Sequence, residues 1–166
     1  MDSDLRRVRD AIASAIQGMS VEELSRHPEG KWSIAEILEH LHLTYTGTIK
    51  GFERLLREGK PLARRASMQE RVRAAVVTGF GYMPEGRKAP ERTVPRGMPA
   101  RVVADSIAAR IEAMSALIAQ AEARFGRVRI LTHPVLGPLT ARQWRRFHRV
   151  HGMHHVKQIH RLRAQP

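Results

Sequence analysis

Helical periodicity is the feature of this sequence that most limits its fold. Apolar side chains recur at three- and four-residue spacing in four long segments, a pattern typical of helices that bury one face. Most of the helical segments open with Ser or Thr followed three residues later by Glu or Gln, which is the capping box of a helix start. The boxes are Ser20/Glu23, Ser33/Glu36, Ser67/Glu70 and Thr140/Gln143. No segment shows the alternation of a half-buried strand, so the sequence predicts an all-helical fold.

The predicted architecture is an all-α four-helix bundle with a short extra helix and a long irregular loop. The long helices are expected to begin near Asp4, Ser33, Pro99 and Thr140, with the short helix after Ser20 and a weaker helix from Ser67 to Gly81. A chain of 166 residues with 42% hydrophobic residues can bury a core as one domain, residues 1–166.

Two stretches lie outside the predicted helices. Residues 82–98 contain five Pro and Gly residues without periodicity and therefore indicate a loop, and loops of this length usually have a function or are mobile. Residues 125–140 hold a short apolar run, Val128–Leu131, followed by a turn at His133–Gly137.

Charge and cysteine content narrow the possible functions. The formal net charge is +13, which favours nucleic-acid binding in general, but the basic residues are spread along the chain and aromatic residues are only 5%, so nucleic acid is an unlikely partner. The absence of cysteine excludes disulfides, Cys-ligated zinc and a thiol nucleophile. No apolar run approaches a membrane span, and we expect a cytoplasmic protein without a membrane partner.

The last predicted helix carries five of the nine histidines. Projection at 100° per residue places His151 and His155 on the buried face, one turn apart, where two imidazoles can reach one metal ion. His148 lies on the same face and favours a packing role over a ligand role. His154 lies at the edge of that face, and His133, just before Pro134, favours a role in the turn.

The second long helix offers two further histidines, His40 and His42, between which periodicity does not choose. His40 shares its side with the small residues Gly47 and Gly51, which leave room for a pocket. Glu36 lies one turn before His40 and is the candidate catalytic residue, either orienting His40 or accepting a proton. Its place in the capping box of Ser33 is the more ordinary alternative.

Three motifs together resemble the DinB-like superfamily, and within it a subgroup of uncharacterised bacterial proteins. They are Trp32–Leu41 (WSIAEILEHL), Gly137–Trp144 (GPLTARQW) and His151–Ile159 (HGMHHVKQI). The resemblance implies an up-down-down-up four-helix bundle with a divalent metal, most often Zn²⁺ or Ni²⁺, held by His40, His151 and His155. It also implies a homodimer. This chain departs from the subgroup in having Leu136 where an aromatic residue is expected, and no acidic residue in the motifs is a clear fourth ligand.

The superfamily includes metal-dependent hydrolases and transferases of low-molecular-weight thiols. Three histidines with open coordination positions would suit hydrolysis of an ester or amide, or binding of a cosubstrate thiol as its thiolate. Arg87, Arg92 and Arg96 in the long loop are candidates for holding an anionic small-molecule substrate, although solvated loop charges are the simpler interpretation. The alternatives are a metal-binding bundle without catalysis and a basic nucleic-acid-binding module.

Overall fold

The chain is mostly helical, with one small two-stranded sheet. The computed structural model describes residues 1–84, 86 and 88–164. Its helices are α1 (Ser3–Ile16), α2 (Val21–Ser25), α3 (Ile34–Glu58), α4 (Met68–Ala74), α5 (Ala100–Phe125) and α6 (Ala141–Arg163). The strands are β1 (Arg129–His133) and β2 (Gly137–Thr140).

The predicted helix starts are confirmed in detail. All four capping boxes form, with the Ser or Thr side chain accepting the backbone N–H three residues on, and the Glu or Gln side chain accepting the backbone N–H of the cap. Each box therefore satisfies two backbone donors that would otherwise lack partners. Helix α5 starts one residue later than predicted, because Pro99 is its N-cap rather than its first helical residue.

The four long helices bury a common apolar core. Helix α3 packs on α5 and α1 packs on α6, while α5 also contacts α1 and α6. The largest fully buried side chains are contributed mainly by these helices: Leu5, Ile12, Leu38, Leu41, Tyr45, Phe52, Leu55, Ile111, Met114 and Ile118. None of the described helices combines the length and apolarity needed to cross a bilayer.

A β-hairpin is the main departure from the all-helical prediction. Strand β1 pairs antiparallel with β2, with Leu131 opposite Leu139 and His133 opposite Gly137. The apolar run Val128–Leu131 thus belongs largely to a strand, and Ile130 is fully buried. Strands of five and four residues, with a register irregularity between Arg129 and Leu131, are too short to show a strand period in the sequence.

Helix α4 is also shorter than predicted. The α-helical hydrogen bonds end at Ala74, and Ala75–Gly79 forms a π-helical turn before the loop begins. Within the loop, Glu91–Thr93 forms a single 3₁₀ turn. Such π turns replace regular helical hydrogen bonds and are frequent near functional sites.

Gly152 is a point of close approach between α6 and α1. A Cβ atom at Gly152 would lie 2.5 Å from Cγ1 of Val8, a stiff and fully buried side chain. We expect Gly152→Ala to lower the free energy of unfolding by about 1 kcal/mol, because overpacking outweighs the gain in helix propensity. The measurement is urea unfolding followed by circular dichroism.

Gly47→Ala on α3 is the matched control. Nothing lies within 4 Å of a Cβ atom at Gly47, so this variant is expected to gain about 0.5–1 kcal/mol. A shift of both variants in the same direction would contradict the close contact at Gly152.

The ion pair of Glu70 with Arg64 predicts part of the response to acid. Hydrogen bonds from Arg64 lower the pKa of Glu70 to about 2, whereas an unfolded Glu titrates near about 4.3. The resulting stability is therefore fully present above about pH 4.3 and is lost as the pH falls towards 2. We expect Glu70→Gln to flatten the acid limb of a plot of unfolding free energy against pH.

Glu58→Gln provides the comparison, because Glu58 pairs with Arg54 on an exposed turn of α3 where solvent screens the interaction. An equal flattening in both variants would show that the buried position of Glu70 adds nothing.

Candidate metal centre

Three buried imidazoles from α3 and α6 meet at one point. The Nε2 atom of His151 lies 3.1 Å from Nε2 of His40 and 3.1 Å from Nε2 of His155. The residues are 8%, 5% and 7% exposed, respectively. The structure thus brings together the three histidines that the sequence and the family resemblance singled out, and their nitrogens are close enough to bind one metal ion.

Hydrogen bonds fix the protons of two of these rings. Nδ1 of His40 donates to the carbonyl oxygen of Thr93 over 2.8 Å, and Nδ1 of His155 donates to Oε1 of Gln158 over 2.7 Å. The Nε2 atoms of these neutral rings therefore carry no proton, and their lone pairs face His151. Support of this kind on the distal nitrogen is typical of histidines that bind metals.

The three Nε2 atoms cannot satisfy one another with protons alone. Nδ1 of His151 is buried and has no hydrogen-bond partner among the described residues. If His151 carries its proton on Nε2, it can donate a hydrogen bond to only one of the two neighbouring Nε2 atoms. If it carries the proton on Nδ1, the lone pairs of three Nε2 atoms face each other. A cation resolves either arrangement.

The spacing also suits a transition-metal ion. Ligands at about 2.0–2.1 Å from one ion lie about 2.9–3.4 Å apart for octahedral to tetrahedral angles. The observed 3.1 Å falls within this range. Neutral imidazoles suit Zn²⁺, Ni²⁺, Cu²⁺ and Fe²⁺, so the donor set fits a divalent ion without selecting one of them.

Burial keeps the three rings neutral. Desolvation lowers the pKa of His40 and lowers the pKa of His155 to about 3, with the neighbouring imidazoles adding to the effect at His155. The pKa of His151 lies well below its usual value, mainly because burial removes its ring from water. Near neutral pH the rings therefore present lone pairs rather than positive charge.

A buried carboxylate that the sequence did not reveal holds the long loop beside His40. Glu39 is 1% exposed, and its oxygens accept the backbone N–H groups of Arg96, Gly97 and Met98 at 2.7–3.0 Å. The same loop supplies the Thr93 carbonyl to His40. Two adjacent residues of α3 thus bind the loop, one through a carboxylate and one through an imidazole.

Glu36 does not orient His40, and this correction follows from its contacts. Its carboxylate accepts the backbone N–H of Ser33 in the capping box and lies 2.8 Å from Nε2 of His27. The group that contacts Nδ1 of His40 is the carbonyl of Thr93, not the carboxylate of Glu36. The capping alternative considered from the sequence is confirmed.

Four of the remaining histidines contact other groups. Nε2 of His148 contacts Oγ1 of Thr48, and Nδ1 of His42 contacts Oγ of Ser106 on α5. His154 lies beside the site and contacts the amide of Gln158. Nδ1 of His133 accepts the backbone N–H groups of Val135 and Leu136, which confirms its role in the turn.

The three histidines line a cleft of about 1510 Å³. Gly47 and Gly51 of α3 line the same cleft, as the sequence suggested, together with side chains from α4, the hairpin, α6 and the long loop. Trp32 lies beside His40 and Phe147 stacks on His151, with ring centroids 5.3 and 5.2 Å apart. The candidate metal centre is therefore reachable by a small molecule through partly apolar walls.

Of the three loop arginines considered for substrate binding, the structure places one at the cleft. Arg92 lines it, whereas Arg96 is absent from the lining and gives its backbone N–H to Glu39. Arg87 lies outside the described residues.

Comparison with known proteins gives one match. The family model DUF1569, described as a protein of unknown function, matches residues 4–161. That range includes all three histidines and both segments that carry them. Searches of curated proteins and of solved structures gave no match.

The role of Glu39 predicts a measurable change in the loop. Glu39→Gln removes the charge from an acceptor of three backbone hydrogen bonds, which we expect to cost about 2 kcal/mol locally. Amide hydrogen exchange at Arg96–Met98 should then accelerate about 10–30-fold. The exchange rates of these amides are measured by NMR or mass spectrometry.

Glu36→Gln is the matched control, because Gln can keep the capping box one turn earlier on the same helix. Exchange in the loop is expected to stay unchanged in this variant. Acceleration in Glu36→Gln alone would contradict the assignment of the loop contact to Glu39.

Proposed function

The chain belongs to the DUF1569 family of proteins of unknown function, and we propose that it is a metal-dependent enzyme of the DinB-like type. In this proposal the four long helices form the DinB-like bundle, and His40, His151 and His155 hold a divalent ion, Zn²⁺ or Ni²⁺. The substrate is a small molecule that enters the cleft. The chemistry is hydrolysis or transfer of a low-molecular-weight thiol.

The observation that carries the proposal is the convergence of three Nε2 atoms on the wall of an open cleft. Two of the rings are locked with their lone pairs inward by Thr93 and Gln158. A purely structural site would be enclosed by protein ligands on all sides, whereas three ligands beside a cleft leave positions for a reacting molecule. This arrangement supports catalysis over metal storage in a closed site.

The residues around the histidines would prepare the reaction in three ways. Trp32 and Phe147 cover the imidazoles with apolar rings and limit access of water from the sides. Gln158 orients His155 and contacts His154, so it links two rings along α6. When bound, the ion would supply Lewis acidity to an oxygen or sulfur atom of the substrate.

Both reaction classes fit the composition of the cleft. Because the chain has no cysteine, any thiolate must come from a cosubstrate. For hydrolysis, a proton acceptor is needed, and Glu36 is already occupied by Ser33 and His27. His154 lines the cleft beside His155 and is the better candidate for proton transfer.

Removal of the histidines tests metal binding directly. We expect about one divalent ion per chain in protein expressed without a His-tag, and loss of most of that metal in His40→Ala and in His155→Ala, because each substitution removes one of three ligands. Elemental analysis after dialysis measures the content. Chelation is also expected to lower the midpoint of thermal unfolding, because the ion binds the folded state.

The chain supplies matched controls at neighbouring positions. His42→Ala removes a buried histidine of α3 that contacts Ser106, and His154→Ala removes the neighbour of His155. Both variants should retain the metal. No bound metal after incubation with Zn²⁺ or Ni²⁺, or equal loss in the controls, would refute the three-histidine centre.

Assays of the loaded protein then separate the two reaction classes. Chromogenic esters and amides report hydrolysis, and a small thiol with a chromogenic electrophile reports transfer. Turnover of either kind should disappear in His40→Ala and persist in His42→Ala. A loaded protein that is inactive in every assay would favour the non-catalytic alternative. The homodimer and the cytoplasmic location stay predictions.

A further inference from the structure

Basic side chains with no carboxylate partner among the described residues line the cleft. Lys31, Arg73, Lys88 and Arg92 line it and are exposed to solvent. No carboxylate of a described residue pairs with any of these four. They come from three separate parts of the chain, namely the turn before α3, helix α4 and the long loop, so the fold brings them to one cleft.

Six arginines outside the cleft are held in ion pairs. Ion pairs with Asp or Glu engage the following residues, none of which lines the cleft: Arg9, Arg54, Arg64, Arg101, Arg145 and Arg149. Among the described residues that line the cleft, Glu91 is the one carboxylate. The described lining of this cleft therefore brings at least four exposed basic side chains together against one carboxylate, within a concave shape.

The interior of the cleft has a different character from its exposed edge. Buried or half-buried apolar side chains from the π-helical turn after α4, the loop, the hairpin and α6 line it: Val76, Met83, Val135, Leu136 and Phe147. The polar groups beside them are hydroxyls and imidazoles, as at Thr44, Thr48 and His133. A ligand that satisfies both regions needs an apolar body and a negative group at one end.

We infer that the cleft binds an amphipathic organic anion, whose negative group pairs with Arg73 and Arg92 while its apolar body lies between α4 and α6. The inference rests on the proposed function, since it names the substrate class of that same site. In this arrangement the basic residues at the edge determine which ligands bind, and the reacting end of the ligand lies near the histidines. Concave shape favours a small molecule over nucleic acid, which needs an extended basic surface.

A pair of fluorescent probes tests this inference without an activity assay. 8-Anilinonaphthalene-1-sulfonate has an aromatic body and a sulfonate, and N-phenyl-1-naphthylamine has the same body without the charge. The sulfonate probe is expected to bind more tightly to the wild type. Arg73→Gln and Arg92→Gln should each weaken it about three- to five-fold, the size of an exposed charge interaction, and leave the neutral probe unchanged.

The controls separate the cleft from the general positive charge of the protein. Arg71→Gln lies two residues from Arg73 on α4, and Arg96→Gln lies four residues from Arg92. Neither residue lines the cleft, so both variants should bind the two probes as the wild type does. Val76→Asn changes an apolar residue of the wall and should weaken both probes.

The titrations are made on the protein as purified and after loading with Zn²⁺, with metal content measured in parallel. Equal weakening of sulfonate-probe binding by Arg71→Gln and Arg73→Gln would overturn the inference. Unchanged binding of that probe in Arg73→Gln and Arg92→Gln would overturn it as well. Such a result with one ion still bound per chain would leave the metal centre standing. Selective weakening by Arg73→Gln in a chain that binds no metal would sustain the inference about the cleft and refute the metal centre.

Discussion

Three buried imidazoles, with Nε2 of His151 3.1 Å from Nε2 of each of the other two, impose the main constraint on this structure. Removing polar rings from water costs free energy unless each ring has a hydrogen-bond partner. These three rings face one another with too few protons for every Nε2 atom to be hydrogen-bonded. The surrounding elements therefore have to supply contacts on the outer nitrogens. Thr93 does so from the loop and Gln158 does so from within α6, so the loop and the last helix both serve the same centre.

Local signals in the sequence predicted the helices and two of the three histidines of the centre. Capping boxes depend on residues three positions apart, and the pairing of His151 with His155 depends on residues four apart on one helix. Both can therefore be recognised in the sequence without knowledge of tertiary contacts. The choice of His40 over His42 was not available from periodicity. It followed from the small residues Gly47 and Gly51 on the side of His40 and from the resemblance to the DinB-like superfamily. The structure brings His40, not His42, to the other two histidines.

Contacts between distant residues account for what the sequence did not predict. Glu39 meets backbone groups 57–59 residues away, and backbone donors leave no side-chain signature. The hairpin was missed for a related reason, because the pairing of β1 with β2 depends on register rather than on composition. Glu36 was a candidate functional residue through its spacing from His40, and its contacts are those of the capping role that the sequence also offered. Spacing on a helix shows which residues can meet but not which partner is preferred.

The two adjacent contacts of Glu39 and His40 with the loop tie the shape of the cleft to the state of the histidines. Displacement of the loop would remove the Thr93 carbonyl from Nδ1 of His40 and so free that ring to rotate or to change tautomer. Thermodynamic reciprocity then requires the converse, so whatever holds His40 in place also favours the observed position of the loop. A ligand bound by His40 would therefore also stabilise the segment of the loop that lines the cleft.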